Sequence, residues 1–159
     1  MSIWHNEEFT SETLNTMGQQ TMTAQLGIQF TETGEDYLKA TMPVDERTIQ
    51  PMGLLHGGAS VSLAESMGSV AGTLCVDWQK QGVVGVEVNA NHLRSVISGQ
   101  TVTGTVKPLH IGRQTQVWEI KIHDDSDRLC CVSRITLSVI NLSQAQQAHA
   151  RQKQEEAGR

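Results

Sequence analysis

Residues 58–77 read Gly58-Ala59-Ser60-Val61-Ser62-Leu63-Ala64-Glu65-Ser66-Met67-Gly68-Ser69-Val70-Ala71-Gly72-Thr73-Leu74-Cys75-Val76-Asp77. Leu63, Ala64, Met67, Val70, Ala71, Leu74 and Cys75 recur at the i, i+3, i+4, i+7 spacing of one buried helical face. A second face carries Val61, Glu65, Gly68, Ser69 and Gly72, within about 60° of Glu65 at 100° per residue. Small residues there let a backbone or a ligand come close. A helix that is apolar on one side and small on another, with one acid, is expected to be buried.

Working outward, the segment before it, residues 44–58, has no periodicity and reads as a loop with room for function. Farther upstream, residues 11–25 read as a short amphipathic helix with Ser11 as its cap and Leu14, Met17 and Met22 on its apolar side. Leu26, Ile28 and Phe30 alternate, Gly34-Glu35-Asp36 signals a turn, and Leu38, Ala40 and Met42 alternate again up to Pro43. Downstream, strands are expected within residues 82–95, 100–110, 114–123 and 128–140, the last two joined at His123-Asp124-Asp125-Ser126-Asp127. The tail from Ser143 is polar and is read as a frayed helix or disordered. The chain thus divides into one domain, 1–142, and a tail, 143–159. Its fold class is α+β, a single antiparallel sheet of five or six strands wrapped around one long helix. Such a sheet leaves an edge exposed, which favours a dimer.

Composition narrows the function. The chain has 159 residues, 38% hydrophobic and 18% charged, with a formal net charge of −5. This suits one soluble core and gives no broad basic surface for nucleic acid. No apolar run of about 18 residues suggests a membrane span, and the start has no signal-peptide pattern. Cys75, Cys130 and Cys131 form no CxxC pair, so no metal is expected, and an odd count fits reduced thiols in a cytoplasm. If Cys130 and Cys131 sit on a strand they point to opposite faces.

The residues around the helix carry a chemical reading. A helix start at Gly57 presents free N–H groups and partial positive charge. A carbonyl oxygen developing negative charge is stabilised there. Glu65 can activate water or attack the carbonyl carbon directly, and the residues leave both routes open. Ser69, one turn on, can position the water or the acid. Gly57 and Glu65 are eight residues apart, about 12 Å along a helix, whereas an attacker must lie about 3 Å from its carbon. One helix therefore cannot offer both groups to one substrate. The site must combine Gly57 of one subunit with Glu65 of another.

Gln50-Pro51-Met52-Gly53-Leu54-Leu55-His56-Gly57-Gly58-Ala59-Ser60, followed by Leu63-Ala64-Glu65-Ser66-Met67-Gly68-Ser69, resembles the signature of hotdog-fold acyl-CoA thioesterases. The resemblance continues through Val88–Ser95, Lys107–Arg113 and Val117-Trp118, and spans roughly residues 10–142. It is closest to the branch acting on aromatic acyl-CoAs, that of the dihydroxynaphthoyl-CoA hydrolases of menaquinone synthesis, to which the enterobactin proofreading thioesterases are close. It implies that Gln50 and His56 hold the thioester region beside Gly57, and that Gly58 belongs to the substrate- and CoA-binding residues. It implies that His92, Arg94 and Ser95, with His110, Gly112 and Arg113, line the CoA tunnel or its phosphate mouth, where arginine suits phosphate. It implies no cofactor, CoA being part of the substrate, and dimers that pair into tetramers. Met22, Phe30, Met67 and Val70 are expected to line an apolar acyl site. Rival readings are an Asp/His hydratase, whose motif is absent, and a non-catalytic acyl-CoA sensor, which needs no acid at 65.

Overall fold

A computed structural model describes residues 2–6 and 8–143. The polar tail beyond Ser143, and with it the expected tail segment, lies outside the described residues. In chain order the elements are α1 (Ser11–Met17), α2 (Met22–Gln25), β1 (Gln29–Thr33), β2 (Leu38–Pro43), α3 (Gly57–Leu74), β3 (Gln81–His92), β4 (Thr101–Ile111), β5 (Thr115–His123) and β6 (Leu129–Asn141). The strands form one six-stranded sheet in the order β1-β2-β4-β5-β6-β3, every neighbouring pair antiparallel. The long helix packs on one face of it, as the sequence reading requires.

The core is the meeting of two periodicities. Alternate residues Leu38, Ala40 and Met42 of β2, Val102 and Val106 of β4, and Trp118, Ile120 and Ile122 of β5 are buried, as are Leu63, Ala64, Met67 and Ala71 of α3. The small residues of α3 serve the helix–sheet contact. A methyl on Gly68 would sit 2.3 Å from Cγ2 of Ile135, and one on Gly72 would sit 2.4 Å from Cδ1 of Leu137. The sheet reciprocates at Gly104, where Sδ of Met67 lies 2.5 Å from the position of an added methyl. Gly68→Ala is therefore expected to destabilise the protein by about 1–2 kcal/mol. Overpacking against the fully buried Ile135 outweighs the helix-propensity gain of about 1 kcal/mol. Urea denaturation at fixed protein concentration measures it; an unchanged midpoint would show that the helix can slide to make room.

The N-terminal helix differs from expectation. One helix over 11–25 is replaced by two, because the chain turns at Gly18 and Gln20 takes a φ of 60° before α2 begins. Thr10, not Ser11, caps α1, accepting from the Thr13 N–H while the Thr13 side chain accepts from the Thr10 N–H. Gly27, at φ 69°, delays β1 to Gln29. At the other end, α3 stops at Leu74, three residues before the expected Asp77, because the N-terminal segment takes over its last carbonyls. The His5 N–H donates to the Leu74 carbonyl at 2.8 Å, and the Asn6 side-chain amide donates to the Val76 carbonyl at 2.8 Å. Above them Trp4 stacks on the buried Trp118, ring centroids 6.1 Å apart.

The 44–56 segment is held firmly. The buried Thr48 donates its hydroxyl to the Pro43 carbonyl at 2.7 Å and accepts the His56 N–H on its own carbonyl at 2.8 Å. Leu55 N–H donates to the Val96 carbonyl and Ser98 N–H to that of Gly53, which turns the chain at φ 75°. These bonds fix where Gln50 and His56 stand relative to the start of α3.

Candidate active site

The start of α3 is shaped by His56. Its backbone is extended, φ −70° and ψ 131°, and its Nδ1 accepts the Gly58 N–H at 2.8 Å. An accepting Nδ1 places the ring proton of a neutral imidazole on Nε2. The His56 carbonyl accepts from Ala59 and Ser60. That leaves the Gly57 N–H, at the first position of the helix, with no hydrogen-bond partner among the described residues. The His92 ring lies beside it; a methyl on Gly57 would sit 3.0 Å from Nε2 of His92. A side chain larger than hydrogen would thus narrow the approach to the free N–H.

A cavity of about 360 Å³ opens at this point, and Gln50, Gly57, His92, Arg94 and Ser95 all line it. Five residues singled out from two separate stretches of sequence are therefore brought to one place. Gln50 Oε1 accepts the Met52 N–H, so the amide nitrogen is the end left to a ligand. The structure adds Ser60, which lines the cavity one turn into α3 and is itself only 3% exposed. Its position three residues after Gly57 places it on the same helical side, a spacing that could have pointed to it. Cys130 lines the cavity too, its thiol donating to the Arg128 carbonyl at 3.1 Å. Burial pushes its thiol above the usual cysteine range, so it is a packing residue rather than a nucleophile. Both Cys130 and Cys131 are buried in β6.

Glu65 is two turns along α3 and half-buried. No hydrogen bond or ion pair holds its carboxylate among the described residues. It is positioned by packing instead: Oε1 lies 2.6 Å from where a methyl on Gly85 of β3 would stand. Gly85 and His92 are seven residues apart on β3, so the surroundings of Glu65 and of Gly57 are well separated within one chain. Among the described residues the Ser69 hydroxyl makes no hydrogen bond to the Glu65 carboxylate; Ser69 lines a second cavity of about 340 Å³, mostly apolar, where Phe30 and Val70 also stand. Met22 is 60% exposed and lines neither of these cavities, and Met67 is buried under Gly104, so the two expected acyl contacts from methionine are not made in the chain.

His110, Gly112 and Arg113 occupy the β4–β5 hairpin, where the Gly112 N–H donates to the Thr115 carbonyl and the His110 ring abuts Gly112. The antiparallel register puts this hairpin at the opposite end of the sheet from His92. His92 faces Cys131, His123 faces Leu129, and Thr103 faces His123, so it is the start of β4 that lies near His92. Within one chain these two groups of residues cannot share a tunnel.

The profile of the Thioesterase superfamily matches residues 52–131, half of the chain, covering both Gly57 and Glu65. The chain belongs to the thioesterase superfamily. Its overall likeness extends beyond that stretch. It is 56% identical over 138 residues to the 1,4-dihydroxy-2-naphthoyl-CoA hydrolase of Escherichia coli, covering 87% of this chain and 99% of that one. It is 51% identical over 138 residues to the proofreading thioesterase EntH of Cronobacter turicensis, covering 87% and 98%. The crystal structure of a thioesterase from Haemophilus influenzae superposes with a TM-score of 0.84 at 52% identity, covering 88% of this chain and 96% of that one. The fold is the hotdog fold of this superfamily, and the protein is a thioester hydrolase. Among the described residues no helix is long and apolar enough to cross a membrane.

Proposed function

We propose that this thioesterase hydrolyses an aromatic acyl-CoA to the free acid and CoA, with 1,4-dihydroxy-2-naphthoyl-CoA as the first substrate to try. The observation that carries the reading is the Gly57 N–H, unpartnered among the described residues and standing in one cavity with Gln50, His92, Arg94 and Ser95. In this reading the thioester oxygen binds the Gly57 N–H, where the partial charge of the α3 N-terminus stabilises the developing oxyanion. His56 caps Gly58 and so leaves that donor open, while the Gln50 amide nitrogen donates beside it. Arg94 and Ser95 hold a phosphate of CoA. CoA enters as part of the substrate, and no separate cofactor is assigned. The similarity to a naphthoyl-CoA hydrolase supports the aromatic acyl group and a place in menaquinone synthesis. The similarity to a proofreading thioesterase favours a second reading, release of acyl groups from a carrier-protein pantetheine.

The reacting carboxylate is Glu65 of a second subunit, activating water or attacking the carbonyl carbon, with Ser69 placing the water or the acid. α3 is one continuous helix from Gly57 to Leu74, so the eight-residue gap still amounts to about 12 Å. A homodimer closes the gap. β3 ends the sheet as a twelve-residue edge strand with Val84 and Val86 exposed, the kind of edge that seeks another strand. Antiparallel pairing of two such edges centred between Val88 and Asn89 sets His92 of one opposite Gly85 of the other, and carries Gly57 toward Glu65. It also brings the His110–Arg113 hairpin of one chain toward Arg94 and Ser95 of the other, where all of them can hold CoA. We further propose that two dimers form a tetramer, and that the protein works in the cytoplasm, which suits three free thiols.

A steady-state kcat/KM panel over dihydroxynaphthoyl-, benzoyl-, decanoyl- and acetyl-CoA, with one aryl carrier-protein thioester, tests the reading. The naphthoyl ester is expected to lead by at least about 10-fold. A lead by the carrier-protein substrate supports the second reading instead, and a lead by decanoyl- or acetyl-CoA overturns the aromatic assignment.

A further inference from the structure

The second cavity begins at Ser69, one helical turn beyond Glu65, and follows α3 past Val70 and Thr73 to Leu74. Its far end is made by Phe9, from the segment before α1, and Trp78, from the turn after α3. The two rings meet edge to face at 84°, centroids 6.3 Å apart. Trp78 is 48% exposed and Met17, on the same rim, 66% exposed, so this apolar surface contributes little to the core. The chain has only six aromatic residues, and three of them, Phe9, Phe30 and Trp78, line this one cavity. Trp4 and Trp118 stack elsewhere in the core, and every other aromatic but Tyr37 gathers at this cavity, a concentration that points to a ligand with a ring.

We propose that the Phe9–Trp78 pair is the end wall of the acyl site and sets its selectivity for flat ring systems over extended chains. This rests on Glu65 being the reacting carboxylate. From Glu65 to Leu74 is nine residues, about 13 Å along the helix, which bounds the depth available to an acyl group whose carbonyl is held at Glu65. A volume of about 340 Å³ is small for a binding site and accommodates a compact ring system. A ring entering the slot meets Phe30 from β1 and the edge-to-face pair at the end, the geometry that aromatic contacts favour. A long alkyl chain pointing the same way runs into Trp78. The polar groups at the walls carry no charge; the Thr21 and Thr73 hydroxyls donate to the Gly18 and Ser69 carbonyls and the Asn6 amide to that of Val76, so their oxygens are left to accept from ring hydroxyls.

The test is a ratio. For wild type, Trp78→Ala and Trp78→Phe, kcat/KM is measured with 2-naphthoyl-CoA, decanoyl-CoA and butyryl-CoA. Trp78→Ala is expected to lower the naphthoyl-to-butyryl ratio about 10-fold and to raise the decanoyl-to-butyryl ratio, because the ring contact is lost and the end of the slot opens. Trp78→Phe is expected to restore most of the naphthoyl preference. Should Trp78→Ala fail to fold, Phe9→Leu removes the other half of the wall and carries the same expectation. Ratios unchanged within about two-fold, or an equal loss on all three substrates, would overturn the end wall. A wild-type protein inactive on all three would instead overturn the acyl-CoA reading on which it rests.

Discussion

Glu65→Gln is expected to lower kcat by about 10²-fold or more while KM stays within about three-fold, the pattern of losing a group that acts in the reaction rather than in binding. The substitution keeps the size and helix propensity of the side chain and removes only its charge and basicity. Since packing against Gly85 rather than a hydrogen bond positions this carboxylate, a second variant probes the same chemistry with residue 65 intact. A methyl at Gly85 would stand 2.6 Å from Oε1, and the movable end of Glu65 must give way. Gly85 does not use a positive φ, so alanine fits its backbone. Gly85→Ala should therefore leave the urea midpoint nearly unchanged yet reduce kcat about 10-fold, because reacting atoms misplaced by about 1 Å lose rate steeply. Steady-state kinetics on an acyl-CoA checks both. Full activity in Glu65→Gln would remove Glu65 from the reaction. Full activity in Gly85→Ala would show that the carboxylate works from a different position.

The second large effect is recovery by mixing. Gly57→Pro should abolish the N–H donor while sparing the helix. Proline is favoured at the first helical position, and the extended backbone of His56 suits a following proline. Alone it is expected to lower kcat about 10²–10³-fold, the scale of losing one oxyanion donor. Glu65→Gln subunits are expected to be nearly inactive for a different reason. When the two are unfolded, mixed in equal amounts and refolded, half of the dimers are expected to be mixed. Each mixed dimer has one site with native Gly57 and native Glu65, so activity should return to about a quarter of wild type. Native mass spectrometry establishes that the mixed species forms. Mixed dimers with no regained activity would place both groups of a site in one chain and would overturn the shared-site arrangement.

Much of this is legible in the sequence. The α3 periodicity predicts a buried helix from about Gly58, and it runs from Gly57 to Leu74. The alternations at Leu38–Met42 and Val102–Val106 predict buried strand faces, and those residues are buried. Local signals suffice there because a helix and a strand each write their period into contiguous residues. The splitting of the 11–25 helix was signalled by Gly18, but the decisive left-handed Gln20 was not, since nothing in its identity asks for a positive φ. Gly85 illustrates a signal present but easily passed over. A glycine inside Val83-Val84-Gly85-Val86 marks a bulge or a close approach, and both occur there.

What the sequence by itself determined is the set of groups: a helix start with a spare N–H, an acid two turns on, and polar residues at 50, 92, 94 and 95. Helical rise alone further says that the acid and the N–H of one chain cannot meet. Only the tertiary structure decided which groups keep company. The fold of the 44–56 segment onto Val96 and Ser98 brings Gln50 to Gly57, and antiparallel register sends His110–Arg113 to the far end of the sheet. It also gathers Phe9, Phe30 and Trp78 around one cavity from three distant stretches. The physical reason is the same throughout. Periodicity is a property of neighbours in the chain, whereas a site is made by long-range pairing and close packing, whose partners no local pattern names.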